Sequence, residues 1–138
     1  MLTEFFLGRA DDGVALSTDM ARTPIYRTNN ADNSVLAALW KAVDQSADAS
    51  RLAGEEFLVA IGSPEGPWVF AIPDELVIRL DELNEDSFAN AADRWARSKE
   101  LSYHGVSGAD LIEPLKTMKA LASDARSTEH TLFLRMAM

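Results

Sequence analysis

Along this chain the apolar positions change period several times, and each change marks the edge of an element. In "LTEFFLG" Phe5 and Leu7 share one side of a two-residue alternation that ends at Gly8, which predicts a first strand. "RADDGVALSTDMARTP" holds no period: Asp11 or Asp12 stands where a short helix is capped, while Gly13 and the Ser17–Thr18–Asp19 cluster keep any element brief. "PIYRT" reads as a short extended segment. The period then becomes helical. Asp32, Asn33 and Ser34 are candidate caps, and Leu36, Leu39, Trp40 and Val43 follow at i, i+3, i+4 and i+7, the stripe of an amphipathic helix.

After the polar stretch "DQSADASRLAGE", "EFLVAIG" places Phe57, Val59 and Ile61 on one face and Leu58 and Ala60 on the other. Apolar residues on both faces predict a central strand. "SPEGP" has turn chemistry, and "WVFAI" alternates again, so the two runs predict an antiparallel hairpin. Pro73 opens a helix that loses nothing by its missing amide, with Asp74 and Glu75 at the positive end of the helix dipole and Leu76, Leu80 and Leu83 as its stripe. A second helix starts near Glu85 or Asp86 and buries Phe88, Ala91, Ala92 and Trp95. For the last helix, Ser107 with Asp110 and Asp110 with Glu113 are both capping-box patterns. Pro114 selects the later start, because the earlier one would put a proline inside the hydrogen-bond ladder, and Ile112, Leu115, Met118, Ala122 and Ala125 form the stripe. "HTLFLRMAM" closes the chain as a strand with Leu132 and Leu134 opposite Phe133 and Arg135.

This order predicts a single α+β domain over residues 1–138, with three to five mostly antiparallel strands packed against about four helices. A chain of 138 residues with 47% hydrophobic and 25% charged positions has the composition of a globular domain with one core. No run approaches the roughly 18 apolar residues of a membrane span, and "MLTEFFLGRADDG" has neither the basic start nor the apolar length of a secretory signal. A cytoplasmic protein without membrane association is expected.

Charge and missing residue types narrow the function. There is no cysteine, which removes disulfides, thiolate nucleophiles and cysteine-ligated metals. A net charge of −9 disfavours nucleic acid, whose binding draws on Lys and Arg at the phosphates. Neither GxGxxG nor GxxxxGK[ST] occurs. No cofactor and no metal site is expected. Of the two histidines, His104 lies near Ser107, but "GVSG" lacks the first glycine and the strand-to-helix setting of a nucleophile elbow, and Ser107 reads as a capping serine. His130, at the mouth of the last strand, reads as exposed. Trp40, Trp68 and Trp95 fall on apolar faces without basic neighbours and read as core anchors, not base-stacking platforms.

One feature exceeds what local structure requires. Between Asp74 and Asp86 six acids, Asp74, Glu75, Asp81, Glu82, Glu85 and Asp86, stand with only Arg79 among them. Capping accounts for some of them, and together they form a candidate surface for a basic protein partner. The function this predicts is a non-enzymatic binding module of the immunity or antitoxin type. A small hydrolase or transferase built on His104 and Tyr103 with a carboxylate is the alternative. A homo-oligomeric structural or regulatory module, pairing an edge strand such as the last one across a two-fold axis, is a third.

The succession of Phe5–Phe6 and Asp11–Asp12, Leu36–Leu39–Trp40, Trp68 to Pro73, Phe88 to Trp95 with "WARSKEL", and the closing "LFLRMAM" resembles a family of small uncharacterised bacterial proteins. Ser98–Lys99–Glu100 stands where that family has Thr-Glu-Glu. The resemblance lies in core positions and implies a bacterial α+β domain, with no reaction attached.

Overall fold

The computed structural model describes residues 1–138. It is one α+β domain built from β1 (Leu2–Gly8), α1 (Gly13–Leu16), β2 (Tyr26–Asn29), α2 (Asn33–Val43), α3 (Ser50–Ala53), β3 (Leu58–Ile61), β4 (Trp68–Ala71), α4 (Asp74–Asp81), α5 (Glu85–Ala96), α6 (Lys99–Ser102), α7 (Gly108–Thr128) and β5 (Thr131–Ala137). The five strands form one antiparallel sheet in the order β2-β1-β5-β4-β3. Helices α1, α3 and α6 are single turns of four residues, so most of the helical packing is done by the four longer helices.

Those helices cover one face of the sheet. Alternation along β1 and β5 sends Phe5, Leu132, Leu134 and Met136 into a core shared with Leu36, Leu39 and Trp40 of α2, Leu76 and Leu80 of α4, Phe88 and Trp95 of α5, and Leu115 and Met118 of α7. Three of these helices start as the sequence predicts. Asp32 accepts from the Val35 amide at the head of α2 (2.9 Å), Asn84 accepts from Ser87 at the head of α5 (3.1 Å), and Pro73 immediately precedes α4. Trp95 donates its indole N–H to the Val35 carbonyl (3.1 Å), pinning α5 to α2.

The other face of the sheet is covered by the chain between β1 and β2. Leu16 of α1 packs there with Phe6, Val69 and Phe133. The approach is close: a Cβ on Gly13 would meet the Val59 side chain at 2.6 Å.

Three expectations are corrected. The strand from "EFLVAIG", predicted central, is the edge strand β3, with Val59 and Ile61 42% and 50% exposed; part of its apolar character serves the packing of α1, not a flanking strand. The last strand is not an edge open to self-pairing: β5 lies between β1 and β4, bonded on both sides. The last helix begins at Gly108 with Ser107 as its N-cap, and Pro114 lies inside it. A full capping box, in which Ser107 and Asp110 each bond the other's backbone amide, fixes the earlier start, and Leu111 and Leu121 are buried where Ile112 is only half-buried.

Candidate partner-binding surface

Helix α4 presents its outer side between two acidic ends. Asp74 and Glu75 occupy its first turn, where carboxylates complement the exposed N–H groups, and both are exposed. Ile78, one turn on from Asp74, is 39% exposed, and Glu82, one turn on from Ile78, is exposed at the C-cap. The i, i+4 spacing places Asp74, Ile78 and Glu82 along one side of the helix, beside Glu75. Glu85 and Asp86 continue the acidic series in the exposed first turn of α5. The run thus divides into two groups about 10 Å apart along α4, with an apolar side chain between them.

Asp81 does not belong to that surface. Its carboxylate accepts from Ser123 Oγ and, at 2.8 Å, from Arg126 Nη1, while its carbonyl accepts from Lys119 Nζ. The Ser123 hydrogen bond, against the opposing effect of burial, and then the charges of Arg126 and Lys119 hold the Asp81 carboxyl below its ordinary value. It is the joint between the end of α4 and the middle of α7.

Arg79, the one cation in the run, turns away to Asp44 at the C-cap of α2 (3.4 Å). Asp44 is likewise held below its ordinary value, first by Ser46 and, against burial, by the Ser46 amide and then Arg79. Arg126 faces Asp81, with Glu82 at 3.8 Å. Asp74, Glu75, Glu85 and Asp86 have no cation within ion-pair distance.

Beside this face a cleft of about 350 Å³ opens between α4 and the junction of α7 with β5. Val77, Ile78 and Leu132 give it apolar wall, and Asp74, Glu129, Arg126 and His130 line it. Glu129 terminates α7 in the left-handed region at φ 57°, and His130 follows it, donating its amide to the Ala125 carbonyl (2.9 Å). Sequence reasoning assigned no role to Ile78, Glu129 or His130. For Ile78 a signal was present, since it is apolar but off the Leu76–Leu80 stripe. The approach of Glu129 to Asp74 across 55 positions had none.

The residues of the hydrolase alternative are not brought together. Tyr103 is 84% exposed, His104 is exposed in the turn after α6, and no carboxylate lies within ion-pair distance of His104. Ser107 is engaged in the capping box. No group of three His, Cys, Asp or Glu side chains is arranged to hold a metal ion, and no helix is long and apolar enough to cross a membrane. Comparison with protein-family models, with curated proteins and with solved structures finds no match for the chain.

Proposed function

We propose that the protein is a binding module for a basic protein partner, engaged by the outer face of α4 and the start of α5. The observation that carries this reading is the exposed Ile78 set between Asp74 and Glu75 on one side and Glu85 and Asp86 on the other, four acids that no intramolecular cation neutralises, while the nearby Arg79 is committed to Asp44 and Arg126 to Asp81 and Glu82. An apolar anchor inside a charged rim is the usual anatomy of a protein interface. The adjoining cleft suits a lysine or arginine of the partner, whose aliphatic stem would lie on Val77 and Ile78 and whose charge would reach Asp74 and Glu129. An excess of unpaired acid also speeds encounter with a basic partner.

The test is co-purification from a bacterial lysate at low and high salt, comparing the native chain with an Ile78→Ser, Glu75→Gln, Glu82→Gln variant. Asp81 is left intact because its loss would loosen α4 from α7. A basic protein retained in stoichiometric amount by the native chain, released by salt and weakened about tenfold or more by the variant is the expected result. Retention by both chains alike, or no basic protein at all, overturns the reading.

A further inference from the structure

A concavity wider than the cleft beside α4 lies between α2, the α3 turn and the C-terminal end of α5, and its volume is about 600 Å³. Its charge is opposite to that of the rest of the molecule. In a chain of net charge −9, Lys41, Arg94 and Arg97 all line this one groove.

Two of these cations are fixed but not neutralised. Lys41 Nζ donates to the carbonyls of Gln45 and Ala47, and Arg94 Nε donates to the Ala42 carbonyl (2.7 Å). Both satisfy backbone oxygens at and just beyond the end of α2, where a positive charge complements the helix dipole. Arg94 keeps its two terminal nitrogens free, and the side chain of Arg97 makes no hydrogen bond and no ion pair. Two acids also line the groove. Asp48 accepts from Ser50 Oγ (2.6 Å), and Glu100 stands exposed on α6. Small side chains, among them Ala37, Ala38 and Ala49, leave the volume open.

We propose that this groove binds a small organic anion through Arg97 and the free edge of Arg94, with Lys41 beside them. A guanidinium held in place presents paired donors to a carboxylate or phosphate group, and the apolar part of such a molecule would lie on the alanines. Overall negative charge repels polyanions at long range, which restricts the ligand to one or two charges recognised at contact. A volume of this size is that of a small-molecule site. The inference is independent of the α4 surface, which shares no residue with the groove.

The test is a titration followed by backbone amide NMR at low ionic strength, with inorganic phosphate and glutarate as the two probes. Saturable shifts at the amides of α2 and residues 47–53 are expected, with affinity about tenfold lower in Arg97→Gln. Glu100→Gln should tighten binding, because it removes a competing acid; a merely structural role for the groove would not produce that gain. Stronger binding of phosphate assigns a phosphorylated ligand, and stronger binding of glutarate a carboxylate. Arg97 has no partner in the fold, so its variant tests binding and not folding. The absence of saturable shifts with both anions at millimolar concentration, or equal binding by Arg97→Gln, overturns the proposal.

Discussion

Arg135 is 1% exposed in the middle of the central strand, and it donates more hydrogen bonds than any other side chain in the protein. Its Nε and Nη2 donate to Glu4 Oε1 (3.1 and 2.9 Å), its Nη1 donates to the carbonyls of Leu16 and Asp19 (2.9 and 2.8 Å), and its guanidinium lies 4.4 Å from the Phe6 ring centroid. The second oxygen of Glu4 is taken by Arg27 (3.0 Å). Desolvating two charges is expensive, and only saturation of this kind offsets it. Arg135 therefore fastens the chain between β1 and β2 onto the sheet. Arg135→Met should lower stability by about 3 kcal/mol, because it strands one oxygen of a buried carboxylate and two carbonyls while Arg27 keeps the other oxygen. The Glu4→Gln, Arg135→Met double variant should be more stable than the sum of the two single losses, as measured by urea unfolding. Strict additivity would mean that the pair is not coupled. The sequence placed Arg135 correctly on the face opposite Leu132 and Leu134. Nothing local announced that this face is covered, because its cover comes from residues more than 110 positions away.

At the scale of elements, what was legible was what is decided locally. The stripes of α2 and α5, the hairpin of β3 and β4 and the start of α4 after Pro73 depend on a few neighbouring residues, and each was visible as a pattern. Strand order depends on which distant segments meet, so an edge strand carrying apolar residues on both faces read as a central one. The last helix shows a different competition. Pro114 removes the amide that would have bonded the Asp110 carbonyl, yet α7 accepts that loss because its packing against α4 and α5 and its complete capping box outweigh it. The other end of α7 is strained. Glu129 holds the left-handed position that glycine normally fills, at a cost of about 1 kcal/mol. Glu129→Gly should therefore stabilise the fold by about that amount in thermal or urea unfolding. If the cleft beside α4 receives a basic side chain, the same variant should bind the partner less well. A gain in stability with undiminished binding would separate Glu129 from the surface.

Charge acts on the molecule as a whole in two opposed directions. The net charge of −9 at pH 7 destabilises the compact state by self-repulsion, and that repulsion fades as the pH falls and carboxylates protonate. Three aspartates oppose the trend. Asp44 joins α2 to α4, Asp81 joins α4 to α7, and Asp110 closes the capping box of α7; all three are held below their ordinary values, Asp110 by the amide and hydroxyl of Ser107. Because each gives up its proton more readily in the folded state, its contribution is complete above the unfolded pKa of about 3.9 and is lost as the pH falls through the lower folded value. Acidic composition was visible in the sequence, but not the division of labour: Asp81 looked like one more member of the run, and only the approach of α7 across 42 positions shows that it is a joint. Stability should accordingly rise slightly from pH 7 toward about 5, rise at pH 7 when salt is added, and fall steeply below about 4. Replacing Asp44 and Asp81 with Asn should lower stability at neutral pH and flatten the acid limb, both read from urea midpoints across the pH range. An acid limb of unchanged slope in that variant would place the titrating groups elsewhere and remove these two joints from the account of how the helices are held.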